Sequence, residues 1–326
     1  MNKLTWKEAY FYSPGPRAKL EFLLLFAKGM AMGAADLVPG VSGGTVAFIT
    51  GIYKNLMNAV KSINLKFFLQ LLKFQIKEAL CTSHFRFLLT LVSGILFSIF
   101  VFANLISFLL QNQAIYTWSL FFGLILSSIF IIGEKIKNIW GSGGLGLLIG
   151  SFIGFIIVNI IPTTTPEYLW FIFISGIIAI TAMILPGISG SFLLLLIGKY
   201  EFILNAAKNP LQSENIIILV IFASGCLIGV ITISRIIAKL FDKNYNLTLA
   251  ILTGLIIGSI KKIWPLKEAI DQKIINGEVY TIAERNVLPE INKEFFIAIF
   301  IMFIGYFIVQ VLNNASKKKE KTVEEN

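Results

Sequence analysis

The sequence is poor in the residues that do covalent and metal chemistry. It holds one histidine, His84, and two cysteines, Cys81 and Cys226. A single imidazole gives no His pair for zinc or haem and no base reserved for a serine nucleophile. Cysteines this far apart make neither a metal-ligand spacing nor a disulfide framework. No metal site and no cofactor are expected. Charge is scarce as well. Asp, Glu, Lys and Arg make up 14% of the 326 residues, against about 25% in soluble domains. A soluble fold of this length could not cover its surface with so few. Hydrophobic residues are 56%, mean hydropathy is +0.80, and there are 29 Phe. The solvent of this chain is lipid. Its few charges are biased, with 28 Lys+Arg against 18 Asp+Glu.

A membrane helix needs about 20 apolar residues. Ten apolar segments meet or approach that: 20–37, 43–60, 87–110, 115–133, 145–161, 168–185, 190–205, 216–238, 247–260 and 294–312. The first has no small-x-small exit and reads as a retained segment, not a cleaved leader. In 61–86, Leu65, Phe68, Leu69, Leu72 and Ile76 recur at helical spacing among Lys61, Lys66, Lys73 and Lys77. That pattern predicts an amphipathic helix on the membrane surface. Residues 265–293 are polar and read as an extramembrane loop; the tail 313–326, with Lys317, Lys318, Lys319 and Lys321, reads as disordered.

The chain repeats itself. Residues 29–61 laid over 176–208 without a gap give 11 identities in 33 positions, among them Gly29/Gly176, Pro39/Pro186, Gly40/Gly187, Ser42/Ser189, Gly43/Gly190, Gly51/Gly198 and Tyr53/Tyr200. Ser93-Gly94 then matches Ser224-Gly225, Gly123-Leu124-Ile125 matches Gly254-Leu255-Ile256, and Gly154 pairs with Gly305. The expected fold is an all-α polytopic membrane protein of two repeats, 20–162 and 163–312, after a cytoplasmic segment 1–19. Each repeat is a Pro-Gly-broken helix pair, spanning or re-entrant, plus three transmembrane helices. Either form crosses an odd number of times, so the second repeat is inverted; only a pair that forms one broken helix would make the halves parallel. The positive-inside rule agrees. Segments assigned to the cytoplasm carry 18 Lys+Arg and those assigned outside carry 8. Both termini are expected in the cytoplasm. The positive bias is then a topology signal, and no nucleic-acid partner is implied.

The breaks carry the candidate site. Proline and glycine together interrupt a helix. Freed backbone groups are tolerated in a membrane only inside protein or along a wet cavity. Breaks at equivalent places of inverted repeats are the usual pointer to a transported ligand. Pro39, Gly40, Ser42, Gly43, Gly44 and Thr45, with Pro186, Gly187, Ser189, Gly190 and Ser191, each open a helix whose free N–H groups suit a phosphate or carboxylate. The competing reading is a kinked, closely packed helix pair. Gly40-Val41-Ser42-Gly43-Gly44 also spells a nucleophile elbow, but the one histidine sits in the basic surface segment. Gly141–Gly146 spells G-x-G-x-x-G without a preceding strand and reads as a turn. Among charges of the membrane zone, Asp36 is the candidate for handling a proton or sodium, with Lys28 to pair with it. Arg235 either meets an anionic head group or snorkels. Lys199, Lys261, Lys262 and Trp264 read first as interfacial anchors.

These residues resemble a known family. Gly33-Ala34-Ala35-Asp36-Leu37-Val38-Pro39-Gly40-Val41-Ser42-Gly43-Gly44-Thr45 and Met183-Ile184-Leu185-Pro186-Gly187-Ile188-Ser189-Gly190-Ser191-Phe192 are similar to the paired signatures of the bacterial polyprenyl-phosphate transporter family. Gly51-Ile52-Tyr53 and Gly198-Lys199-Tyr200 fit the Gly-x-Tyr after each. Gly258–Pro265 resembles a third signature, although Leu266 stands where an aromatic usually follows. The resemblance covers about residues 20–312. It implies a transporter or flippase of undecaprenyl phosphate in the bacterial cytoplasmic membrane, serving lipid-carrier recycling, with membrane lipids around it. The residues themselves also admit an ion-coupled transporter of a small soluble anion. An intramembrane enzyme is disfavoured by the missing histidines and carboxylate clusters.

Overall fold

The computed structural model describes residues 5–38, 41–160, 163, 165–209, 211–275, 278–288 and 290–324. Pro39 and Gly40 lie outside the described residues. The helices are α1 (Trp6–Tyr12), α2 (Lys19–Asp36), α3 (Gly43–Ile49), α4 (Tyr53–Ser62), α5 (Leu65–Leu72), α6 (Ile76–Thr82), α7 (Phe85–Asn112), α8 (Ala114–Gly133), α9 (Ser142–Asn159), α10 (Leu169–Ile184), α11 (Gly190–Leu196), α12 (Tyr200–Lys208), α13 (Ser213–Lys243), α14 (Tyr245–Ser259) and α15 (Lys293–Glu324). A 3-10 turn (Ile260–Ile263) extends α14, and strands β1 (Lys267–Ile275) and β2 (Glu278–Asn286) form an antiparallel hairpin. Among the described residues six helices are long and apolar enough to cross a membrane: α7, α8, α9, α13, α14 with its extension, and α15. Their outward faces are apolar, as at Phe100, Phe108, Leu148, Phe152, Phe300 and Phe307. This is a multi-pass helical membrane protein.

Four expectations are corrected. The segments 43–60 and 190–205 are each two helices, not one. Gly51 and Gly198 adopt φ of +75° and +64°, a conformation a side chain resists. At the first, Ile52 N–H donates to Ala47 O and Gly51 N–H to Phe48 O; at the second, Lys199 N–H donates to Leu194 O and Gly198 N–H to Leu195 O. Both are Schellman caps that stop a helix. The chain bends by 117° between α11 and α12. The surface helix expected over 61–86 is likewise split into α5 and α6, at Phe74 with φ of +56°. Its exposed Phe68, Leu69, Leu72, Phe74 and Ile76 keep the apolar surface that the spacing predicted. The loop 265–293 contains the β-hairpin, so the described fold is not wholly α. The sequence signal was β-favouring Val279, Tyr280, Thr281 and Ile282 after the turn-prone dipeptide Asn276-Gly277. Finally, α15 continues to Glu324 through the tail expected to be disordered.

The N-terminal segment is also built. Thr5 and Glu8 form a capping box that starts α1. α1 packs on α6 and α7. Arg86, fully buried, holds it there by donating to the carbonyls of Phe11 (3.4 Å) and Gly15 (3.1 Å). Its guanidinium also lies 5.8 Å from the Tyr10 ring centroid and 5.5 Å from that of Phe11.

The large helices pack in pairs. α2 lies on α7 and α10 on α13; α8 lies on α15 and α9 on α14. Glycines set how closely they approach. A Cβ on Gly94 of α7 would fall 2.3 Å from Phe26 O of α2, and one on Gly225 of α13 would fall 2.0 Å from Phe173 O of α10. Those are equivalent positions of the two sequence repeats, so the same small-residue contact is used twice. α3 and α11 are enclosed by these pairs. Gly43, Gly44, Thr45, Ala47 and Phe48 are buried in α3, and Gly190, Leu194 and Leu196 in α11.

Candidate functional site

Each motif delivers a helix too short to span. α3 and α11 have seven residues each, about 10 Å at 1.5 Å per residue, against a hydrocarbon core of about 30 Å. Each starts just after its Pro-Gly-x-Ser run and ends at its Gly-x-Tyr cap.

The two motifs meet. Ser42 OH donates to Met183 O at 2.8 Å, bridging residues 141 positions apart. Gly187 N–H donates to Thr45 Oγ1 at 2.8 Å. Ser42 and Thr45 are each 1% exposed. Gly44 permits the approach, because a Cβ there would fall 2.4 Å from Ile184 O. Gly187 has φ of +88°, and a Cβ on it would fall 2.8 Å from both Ile256 Cα and Ser259 Oγ of α14. The first motif thus clasps the second, and the second rests on the end of α14.

The donors at the start of α3 are already engaged. Gly43 N–H donates to Asp36 Oδ1 at 2.7 Å, and Gly44 N–H to Ser42 Oγ at 3.1 Å. Thr45 N–H and Val46 N–H both donate to Ser42 O. Asp36, at the end of α2, therefore supplies the negative charge that a helix N-terminus favours. The start of α11 is different. Met183 replaces the aspartate, and Ser189 makes no side-chain cap. Ser189 Oγ and Ser191 Oγ lie 2.8 Å apart in a mutual hydrogen bond. One of the two hydroxyl protons remains for another acceptor.

The other expected residues fall around this centre. Lys28 Nζ donates to Thr50 O at 2.9 Å, at the far end of α3 from Asp36. Cations are favoured at that end of a helix. Lys28 and Asp36 stand about two turns apart on α2. Lys28 also lines a cavity of about 470 Å³ with Glu21, Asn55 and His84. Arg235 is exposed on α13, with no hydrogen bond or ion pair among the described residues.

Two basic residues read as anchors are more deeply placed. Lys199 is 1% exposed; its Nζ donates to Thr165 O at 2.7 Å and lies over the rings of Phe171 and Phe202. Lys262 Nζ lies 4.7 Å from the ring centroid of Phe192, in the first turn of α11. Sequence spacing could not find either, because both follow helix ends where lysine usually snorkels. Trp264 donates to Val287 O at 3.1 Å and meets Phe122 edge to face, fixing the 3-10 turn to the foot of the hairpin. Among the described residues no group of three or more His, Cys, Asp and Glu could hold a metal.

A helical membrane protein in which a half-length helix of one sequence half is hydrogen-bonded to the equivalent break of the other half has the build of a membrane transporter. Comparison with known proteins is more specific. The chain belongs to the undecaprenyl phosphate translocase-like family, whose model matches residues 32–280. It is similar to the polyprenyl-phosphate transporter of Vibrio cholerae serotype O1, 44% identical over 277 residues, 83% of this chain and 87% of that one. It is also similar to the polyprenyl-phosphate transporter of Staphylococcus aureus, 27% identical over 252 residues, 73% of this chain and 84% of that one. No solved structure matches the chain. The resemblance read from the paired signatures is borne out.

Proposed function

We propose that this protein moves a polyprenyl phosphate, undecaprenyl phosphate in the first instance, across the bacterial cytoplasmic membrane for reuse of the lipid carrier. The observation that carries the reading is the clasp between the two motifs. Ser42 and Thr45 of one half hold Met183 and Gly187 of the other. Opening and closing one such joint would expose the phosphate-binding chemistry to one leaflet and then the other. The named relatives, both polyprenyl-phosphate transporters, supply the substrate class.

The repeats are inverted in this reading. Three membrane-crossing helices follow each motif pair: α7, α8 and α9, then α13, α14 and α15. If α2–α3 and α10–α11 are re-entrant, each half crosses three times and the second begins on the opposite side. Both termini then share the cytoplasmic side. The exchange of partners, α8 on α15 and α9 on α14, fits a two-fold axis between the halves. The head group binds at Ser42, Gly43, Gly44 and Thr45 and at Ser189, Gly190 and Ser191 once the clasp opens and frees their donors. Arg235 is a further head-group contact during passage, since a cation exposed along an apolar helix is costly without a use. Asp36 couples passage to a proton or sodium, because its carboxylate competes with phosphate for the start of α3.

The test is binding to purified protein. Polyprenyl phosphate should raise the melting temperature in a concentration-dependent way, and polyprenol, lacking the phosphate, should not. Stabilisation by inorganic phosphate alone, equal to that by the lipid, would favour a transporter of small anions. Release of inorganic phosphate from the lipid would favour an enzyme.

A further inference from the structure

The two short helices end in different surroundings. At the offset that lays 29–61 over 176–208, carried five residues upstream, Leu24, Leu25, Ile52 and Asn55 correspond to Phe171, Ile172, Lys199 and Phe202. The first set lines the cavity of about 470 Å³, with Pro14 and Pro16 of the segment before α2. The second set is packed together. Ile172 and Lys199 are buried, and Lys199 Nζ lies 5.8 Å from the ring centroid of Phe171 and 5.6 Å from that of Phe202. The segment before α10, which joins the two repeats, straps this cluster down. Thr163 N–H donates to Leu196 O at 2.8 Å, Thr165 OH donates to Ile197 O, and Lys199 Nζ donates to Thr165 O at 2.7 Å. Leu196 O and Ile197 O stand at the end of α11, where a helix leaves its carbonyls without partners. In the first half the equivalent of Ile197 is Thr50, whose carbonyl is taken by Lys28 of α2. The segment before α2 is held elsewhere, by Arg86 on the carbonyls of Phe11 and Gly15. The same place in the two repeats is a cavity in one and strapped shut in the other.

We propose that Thr163, Thr165 and Lys199 form a gate over the second-half mouth, closed in this structure, which lifts to let the head group pass. On the orientation proposed above, the gated mouth faces outward and the cavity faces the cytoplasm. Lys199 is the latch. Its bond to Thr165 O is charge-assisted, and such a bond is roughly twice as strong as a neutral one. The faces of Phe171 and Phe202 hold the ammonium in place without neutralising it. Ile52, at the equivalent position, has no side-chain donor, so the first mouth has no latch of this kind. The strap is well placed to sense the state of the molecule. One of its ends leaves α9 of the first repeat and the other enters α10 of the second. Rocking one repeat against the other therefore pulls the strap off the end of α11, which links opening of this mouth to the movement that closes the other.

The gate rests on the proposed function, and the experiment separates the two. Its first part is amide hydrogen exchange at Thr163, whose N–H is bonded to Leu196 O only while the strap is down. Wild type, Lys199→Met, Lys199→Arg and Lys66→Gln are compared, with Lys66, exposed on α5, as the control. Lys199→Met keeps a buried apolar chain and removes the donor. It should quicken hydrogen exchange at Thr163 by about 10- to 100-fold, the range for losing one charge-assisted bond, while α7 keeps its protection. Lys199→Arg should recover part of the protection, and Lys66→Gln should match wild type. The second part locks the strap. Thr163→Cys and Ile197→Cys, with Cys81 and Cys226 changed to serine, are joined by a short bifunctional methanethiosulfonate. The cross-linked protein should not move labelled polyprenyl phosphate between the leaflets of a liposome, and reductant should restore the rate. Lipid movement as fast in the cross-linked as in the reduced protein would overturn the gate and leave the transport reading standing. Wild-type protection of Thr163 in Lys199→Met, or loss of α7 protection along with it, would overturn Lys199 as the latch. If wild type moves no polyprenyl phosphate, the transport reading itself falls. Should Lys199→Met fail to fold, Lys199→Arg and the cross-link decide.

Discussion

Thr45→Val is the sharpest probe of the clasp. Valine keeps the branch and volume of threonine and removes one acceptor. In the wild type that acceptor takes the Gly187 N–H at 2.8 Å, from a side chain 1% exposed. An orphaned buried N–H costs about 1–3 kcal/mol. Gly187 cannot rotate to a new partner cheaply, because its φ of +88° and its contact with Ile256 and Ser259 fix it. The joint between halves should therefore loosen by about 5- to 150-fold in its closed-to-open ratio. The variant should melt below wild type in detergent, and Thr45→Ser, which keeps the oxygen, should melt near wild type. Reconstituted in liposomes, Thr45→Val should change the leaflet-exchange rate of labelled polyprenyl phosphate, and Thr45→Ser should not. A Thr45→Val protein that melts and exchanges like wild type would refute the reasoning, because the bond would then be dispensable.

Other perturbations follow from the same geometry. Gly187→Ala should abolish exchange and lower the yield of folded protein, measured by size-exclusion chromatography, since a methyl there meets Ile256 Cα at 2.8 Å in a left-handed backbone. Asp36→Asn retains an oxygen for Gly43 N–H and should fold, but exchange should lose its response to an imposed proton or sodium gradient. Arg86→Met removes two charge-assisted bonds, a loss on the order of 3 kcal/mol, and should undock α1. Cys81, whose thiol lies 3.7 Å from Ala9 O, would then react faster with a maleimide. Acid should loosen the same element. The Glu8 carboxyl is held below its usual range by hydrogen bonds from the backbone and side chain of Thr5, with a smaller contribution from Lys77. Its contribution is complete above the ordinary carboxylate pKa of about 4.3 and is lost as pH falls through the lowered value. Amide hydrogen exchange of α1, corrected for its intrinsic pH dependence, should therefore quicken in wild type below pH 4 and much less in Glu8→Gln.

Much of the fold was legible because lipid imposes simple rules. Long apolar runs had to be helices, and six of the helices they form are long enough to span among the described residues. The broken pairs were legible from Pro39-Gly40 and Pro186-Gly187, and their equivalence from identities no composition bias would align. What stayed hidden were tertiary decisions. Gly51 and Gly198 were visible as repeat identities, yet their left-handed φ shows only in the structure. The chain around each was apolar enough to read as one span. Arg86 lies by sequence next to a basic surface segment, and its burial depends on the carbonyls of Phe11 and Gly15, more than 70 positions away. Lys262 looked like a belt residue because nothing local says that its side chain reaches Phe192 of α11. The most consequential omission concerned Asp36. Its proximity to Pro39 marked it as functional, but that its carboxylate fills the start of α3 could be seen only once the chain had folded back across the break.

The central claim is that the protein carries a polyprenyl phosphate between leaflets. Its most direct test is leaflet exchange in proteoliposomes holding a fluorescent polyprenyl phosphate, read by an impermeant quencher. With wild-type protein the quenched fraction should rise from the outer-leaflet share toward the whole, at a rate set by the number of protein copies per vesicle. Polyprenol should show no such dependence on protein. A quenched fraction that stays at the outer-leaflet share, as in protein-free vesicles, would contradict the account.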